Sequence, residues 1–135
     1  MSLFGIFDIA GSAMSAQTVR LNTTASNLAN ADNLSGSEAE AYRARHPVFS
    51  TFRDALDNST AGVKVDGIVE SQAPVQREYQ PDNPLADAEG YVYRPNVDVV
   101  AEMADMISAS RSYQNNVEVV NTSKQMLLNV LRLGQ

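Results

Sequence analysis

The feature that most restricts this chain is a 4-3-4 register running unbroken through its last third. Val99, Met103, Met106, Ser110, Tyr113, Val117, Val120, Lys124, Leu127 and Leu131 fall on it, and eight of these ten are apolar. Positions at that spacing share one face of a helix. Pro95 cannot continue a preceding helix, and Asn96 is the expected N-cap. Asp98, Glu102 and Asp105 suit the positive end of the helix dipole. Lys124 and Arg132 suit the negative end, and Gly134 is placed as a stop. A helix from Val97 to Leu133 would be roughly 55 Å long at 1.5 Å per residue. A globule of 135 residues has a radius of gyration of only roughly 14 Å. Such a helix outruns what the rest of the chain can cover.

The first 31 residues carry a related pattern. Leu3, Phe7, Ala10, Met14, Leu21, Ala25 and Leu28 keep the same spacing, with only the turn at Gln17 and Thr18 lacking a large apolar residue. The opposite side holds Ser12, Ser15, Gln17, Asn22, Thr23, Ser26, Asn27 and Asn30. Solvated helices normally carry Glu and Lys there. Hydroxyls and amides can instead meet other protein without burying a charge, which reads as a helix enclosed by neighbours on most sides. The bland alternative is a Ser/Asn-rich surface helix of modest stability. Pairing the first helix with the last buries both apolar stripes. The expected seam within the chain is Phe7, Met14, Leu21 and Leu28 against Met106, Tyr113, Val117, Val120 and Leu127. A two-helix hairpin has little core of its own, so the ends are expected to complete their folding on assembly.

The charge divides along the chain. The net charge is −6, but residues 1–31 hold only Asp8 and Arg20. Residues 32–96 hold 11 acids against 6 bases, and residues 97–135 hold four against three. The middle is therefore the solvated, outward-facing part. It reads as a small β-rich insertion. Tyr42–Phe52 is strand-like, with Pro47 at an edge or start. Asp57–Gly62 reads as a loop. Val63, Val65, Ile68 and Val69 read as a strand with a possible bulge at Gly67, and Val75–Tyr79 as a second short strand. Pro81, Pro84 and Gly90 mark a loop that leads through Tyr91-Val92-Tyr93 into the last helix. The expected fold is α+β. Paired terminal helices (1–32 and 96–135) form one part, and a small β-rich part (33–95) lies between them.

Several function classes are disfavoured. An acidic chain is a poor general nucleic-acid binder. No stretch approaches the roughly 20 apolar residues of a spanning helix, so direct membrane insertion is not expected. The chain has no cysteine and one histidine, which removes disulfides, thiolate nucleophiles and zinc–thiolate sites. None of the common catalytic motifs is present. His46 precedes a proline in a strand-like stretch. Asp82, Asp87 and Glu89 lack the spacing of a calcium loop. Asp54 and Asp57 read as a solvated loop edge. No enzyme activity, metal or cofactor is expected. Met1–Phe7 lacks the basic start of a cleavable secretion signal.

Specific stretches carry a resemblance. Asn27-Leu28-Ala29-Asn30-Ala31 resembles the N-terminal signature of the bacterial flagellar rod and hook protein family. Arg111-Ser112-Tyr113-Gln114-Asn115-Asn116-Val117-Glu118-Val119 resembles the matching C-terminal signature. Asn115 stands where that family's usual Tyr-Gln-Ala-Asn has alanine. Pro84-Leu85-Ala86-Asp87-Ala88-Glu89-Gly90-Tyr91-Val92, followed by Pro95-Asn96-Val97-Asp98, is more selective and resembles the proximal rod members. The opening Phe4-Gly5-Ile6-Phe7-Asp8-Ile9-Ala10-Gly11-Ser12 and the closing Leu133-Gly134-Gln135 fit the same members.

The resemblance implies a structural subunit of the flagellar drive shaft, located in the periplasmic rod of the basal body. It implies export through the flagellar type III apparatus without a cleaved signal peptide. Implied partners are further copies, the proximal rod proteins B and F, the distal rod protein G, the adaptor joining rod to MS ring, and the export apparatus. It also implies an inner helical tube with a β-rich part outside. Gln17, Asn22, Asn27, Asn30, Gln114, Asn115 and Asn121 would then make contacts between subunits. The competing reading is a secreted coiled-coil adaptor or effector that forms a discrete complex rather than a polymer.

Overall fold

A computed structural model describes residues 3–53 and 61–133. The expected Asp54/Asp57 pair, most of the Asp57–Gly62 loop and the Gly134 stop lie outside the described residues. The elements run α1 (Leu3–Asn30), β1 (Arg45–Arg53), β2 (Ala61–Glu70), β3 (Gln76–Tyr79), β4 (Tyr91–Arg94) and α2 (Val99–Leu133). Two long helices thus flank two small antiparallel sheets, β1–β2 and β3–β4. This is the expected α+β class.

The 35 residues of α2 span about 52 Å at the usual rise. Its cap differs from the expectation. Asp98, not Asn96, accepts the N–H groups of Val100 (3.0 Å) and Ala101 (3.1 Å). Asn96 is drawn away to backbone on the β side. Its Oδ1 accepts Ala44 N–H (2.8 Å) and its Nδ2 donates to Ala73 O (2.7 Å). Each aspartate or asparagine near a helix start serves whichever orphan donor lies in reach.

The helices run antiparallel, as two cross-links show. Arg20 pairs with Asp105 at 2.6 Å, and Asn27 donates to Glu102 at 2.8 Å. The buried line between and around them consists of small and polar residues. Ala10, Ala16, Thr23, Thr24, Asn27 and Ala31 are buried on α1 or its exit, and Glu102, Ala109 and Ser123 on α2. Small side chains let helix axes approach closely. The large apolar residues of the expected seam flank this line instead of forming it.

The two sheets differ in what holds them. In β1–β2, Val48 lies opposite Gly67 and Phe49 opposite Val65, which leaves Asp66 without a partner across the ladder. The bulge therefore falls beside Gly67. Pro47 sits near the start of β1, opposite Ile68. This hairpin lies along α1, where Ser12 Oγ accepts Val63 N–H at 3.2 Å. A Cβ on Gly62 would stand 2.6 Å from the Phe52 ring and 3.1 Å from Ser12 Oγ, so a side chain there requires that exposed ring to move aside.

Tyr91-Val92-Tyr93 was expected within a connection, but it forms strand β4, paired residue for residue with β3. Val92 is fully buried, and Ser35 extends the sheet through two bonds to Tyr93 (3.0 and 2.9 Å). The Pro/Gly-rich segment is the turn of this hairpin. Gly90 takes φ +84° there, a conformation L side chains rarely adopt.

Asp87 organises that turn. One carboxylate oxygen accepts Glu89 N–H and Tyr91 N–H, both at 2.9 Å, and the other accepts the Tyr93 hydroxyl at 3.2 Å. The Tyr91 amide, more than any other group, holds the Asp87 carboxyl below its ordinary 3.8. A carboxylate whose pKa is lower folded than unfolded stabilises the fold above its ordinary value. That contribution is lost as pH falls through the lowered value. Amide exchange should therefore show protection at Glu89 and Tyr91 declining as pH drops below the ordinary carboxylate range. Asp87→Asn should reduce protection at neutral pH and remove this pH dependence. Equal acid sensitivity in both chains would assign the effect elsewhere.

Candidate assembly interface

The site is built outward from one buried amide. Asn27 is 0% exposed, and its side chain makes four hydrogen bonds. Its Nδ2 donates to Arg45 O and to Glu102, both at 2.8 Å. Its Oδ1 accepts Arg45 N–H and the Tyr42 hydroxyl, both at 2.9 Å. One amide can do little more. It ties α1 to the entry of β1, to the Tyr42 segment and to the start of α2. Glu102 is 4% exposed, and its second oxygen, Oε2, is buried without a hydrogen-bond partner among the described residues.

Around this hub, each helix leaves a sparsely charged face outward. On α2, Val100 (77% exposed), Met103 (53%) and Ile107 (54%) start a stripe. Ser110, Gln114, Val117, Asn121, Lys124 and Leu128 continue it at three- and four-residue spacing, all exposed except the half-buried Ser110, and Lys124 is the charge it carries. On α1, Gly11, Ser15, Thr18, Asn22, Ala25 and Ala29 form an exposed stripe of small, uncharged residues. Large exposed apolar stripes of this kind mark interaction surfaces.

The residues singled out from sequence divide between these settings. Phe7, Met14, Leu21, Leu28, Met106, Val120 and Leu127 are half-buried beside the helix pair. Tyr113 and Val117 are exposed, at 37% and 36%, so the register of the α2 seam is displaced around the helix. Asn22, Gln114, Asn115 and Asn121 are exposed, as a contact face requires, and Gln17 and Asn30 are half-buried. Asn27 is not a surface residue at all, because its amide is saturated inside the chain. Asn30 turns back on its own helix, donating to Ser26 O at 2.8 Å. Val100 and Ile107 were missed. Their spacing from Met103 was visible in the sequence, but the longer register through Val99 and Met106 obscured it.

Paired terminal helices with sparsely charged, partly apolar outer faces are the layout of a subunit that packs among neighbours. Sequence comparison agrees. Residues 7–33 match the family model described as flagella basal body rod protein. Residues 88–133 match the one described as flagellar basal body rod FlgEFG protein C-terminal. The flagellar basal-body rod protein FlgC of Salmonella typhimurium is 58% identical across the full length of both chains. The FlgC proteins of Yersinia enterocolitica (56%) and of Buchnera aphidicola from Schizaphis graminum (46%) also match over both full lengths. The chain belongs to the flagellar basal-body rod protein family. Among the described residues no helix is long and apolar enough to cross a membrane.

The hub makes a measurable claim. Asn27→Ala would take the side-chain partner from Glu102 Oε1 and from both backbone groups of Arg45, leaving Tyr42 Oη only its contact with Ser26, and should cost about 3 kcal/mol or more. Asn22→Ala, on the exposed face, should stay within about 0.5 kcal/mol. Urea unfolding of the two variants measures the difference, and equal midpoints would remove the hub from this account.

Proposed function

We propose that this chain is a structural subunit of the flagellar basal-body rod, assembling helically to transmit torque across the periplasm. The observation that carries this reading is the exposed apolar stripe on α2, in a chain 58% identical to a basal-body rod protein. In the assembly, residues 1–32 and 96–135 form the inner helical part and residues 33–95 the outer part. Neighbours cover the α1 stripe from Gly11 to Ala29 and the α2 stripe from Val100 to Leu128. Partners are further copies, proximal rod proteins B and F, distal rod protein G, the rod–MS-ring adaptor and the export apparatus. Export proceeds without a cleaved signal peptide. The role is mechanical, with no catalytic step. Repeated heterologous contacts that do not close into a ring generate a filament, and many small interfaces in parallel make it stiff.

Ile107→Asp separates folding from assembly. An exposed substitution should change monomer stability by no more than about 0.5 kcal/mol. A carboxylate placed in a subunit contact loses its water without gaining a partner. The variant should melt like the parent chain, yet leave basal bodies without a complete rod by electron microscopy. A motile strain carrying only this variant would sink the α2 assignment. His46→Ala is the control. His46 is exposed on β1, and swimming speed should not change. Loss of motility there would reopen the question of a site around β1.

A further inference from the structure

We propose that the junction stitched by Asn27 and Asn96 is the joint that carries torsional load through the subunit, fixing the β region rigidly to the helix pair. This rests on the rod reading above and goes beyond it to name where torsional load crosses the chain. The polypeptide passes between helices and strands after Asn30, at Ala44–Arg45, at Ser71–Ala73 and at Asn96. Flexible connections would be rich in Gly and Ser and free of side-chain bonds. Here the passages bind one another.

Asn27 grips both backbone groups of Arg45, accepting its N–H at 2.9 Å and donating to its carbonyl at 2.8 Å. Two bonds from one amide to one residue resist rotation about either bond. The next residue upstream is held from the other side, since Asn96 accepts Ala44 N–H at 2.8 Å. Asn96 also reaches the exit of β2, donating to Ala73 O at 2.7 Å. Ser71 N–H closes the set by donating to Ala44 O at 2.7 Å. Ala44 is 3% exposed, so little water competes for the two bonds made by its own backbone. Arg45 adds an ion pair across the base of the hairpin, to Glu70 at 3.0 Å. Bonds acting in parallel between short segments share a twisting load.

Asn96→Ala tests the joint, because it cuts the stitch to Ala44 and Ala73 while leaving the Asp98 cap of α2 in place. It is expressed as the full chain in a motile host lacking its own copy. Basal bodies are examined by electron microscopy, and single-motor rotation is measured with small and large attached beads. The expected result is complete rods, parent-like rotation at low load, and loss of rotation or rod breakage at high load. Tyr42→Phe, which deletes one bond to Asn27 and keeps those to Arg45, should show a weaker loss of the same kind. Torque–speed curves that superimpose on the parent overturn the proposal. So do missing rods from a purified variant that melts like the parent, since the stitch would then serve building rather than load. If Asn96→Ala does not fold, Asn96→Asp retains an acceptor for Ala44 N–H but loses the donations to Ala73 O and Ser71 O and turns a carboxylate oxygen towards both carbonyls. Its high-load rotation then decides by the same criteria. A deletion strain that still builds rods would defeat the rod reading itself, separately from the joint.

Discussion

Everything else in this fold is arranged around the Asn27 amide. A buried polar group is costly unless each of its donors and acceptors is used. Asn27 is fully buried and uses both. Its partners come from two separate stretches of chain, so satisfying one side chain places Tyr42, Arg45 and Glu102 at once. The helix pair, the path into β1 and the start of α2 are thereby set relative to one another. An apolar residue of similar size would fill the space but specify none of these directions.

Much of this is legible in the sequence. The long terminal helices followed from spacing, and α2 ends its N-terminal side within two residues of the expected start. The bulge beside Gly67 and the edge position of Pro47 also followed, because both residues limit backbone pairing. Strand β4 did not. Tyr91-Val92-Tyr93-Arg94 is too short to show a period, and its pairing depends on Asp87 and Gly90 shaping a turn that only coordinates reveal. The helix contact was misjudged in register. Periodicity identifies where large apolar residues lie, but small ones such as Ala16, Ala109 and Ser123 permit the closest approach. Asn27 was read as a surface amide because composition cannot distinguish an amide facing solvent from one saturated inside.

The electrostatic division of the chain has a local explanation. Arg43–Glu38, Arg45–Glu70, Lys64–Asp66, Arg77–Glu89 and Arg94 with Asp32 and Glu78 all pair within the middle region. Each such surface pair contributes little to stability. Together they keep the basic residues of the middle near their own acids and away from the helix faces. Between α1 and α2, Arg20–Asp105 is the ion pair among the described residues. The faces left outward, where Lys124 is the charge on the α2 stripe, can then meet other protein while stripping water from few charges.

The small-residue line between the helices also has a calorimetric consequence. Alanine, serine, threonine and asparagine bury far less apolar area than leucine or phenylalanine, and apolar area dominates the heat-capacity change of unfolding. The isolated subunit should therefore have a shallow, broad stability curve for its length. Under the assembly proposed above, neighbours would remove from water the apolar area that the fold leaves exposed on Val100, Met103 and Ile107. Part of the large negative heat-capacity change that most proteins show on folding would then be deferred to association.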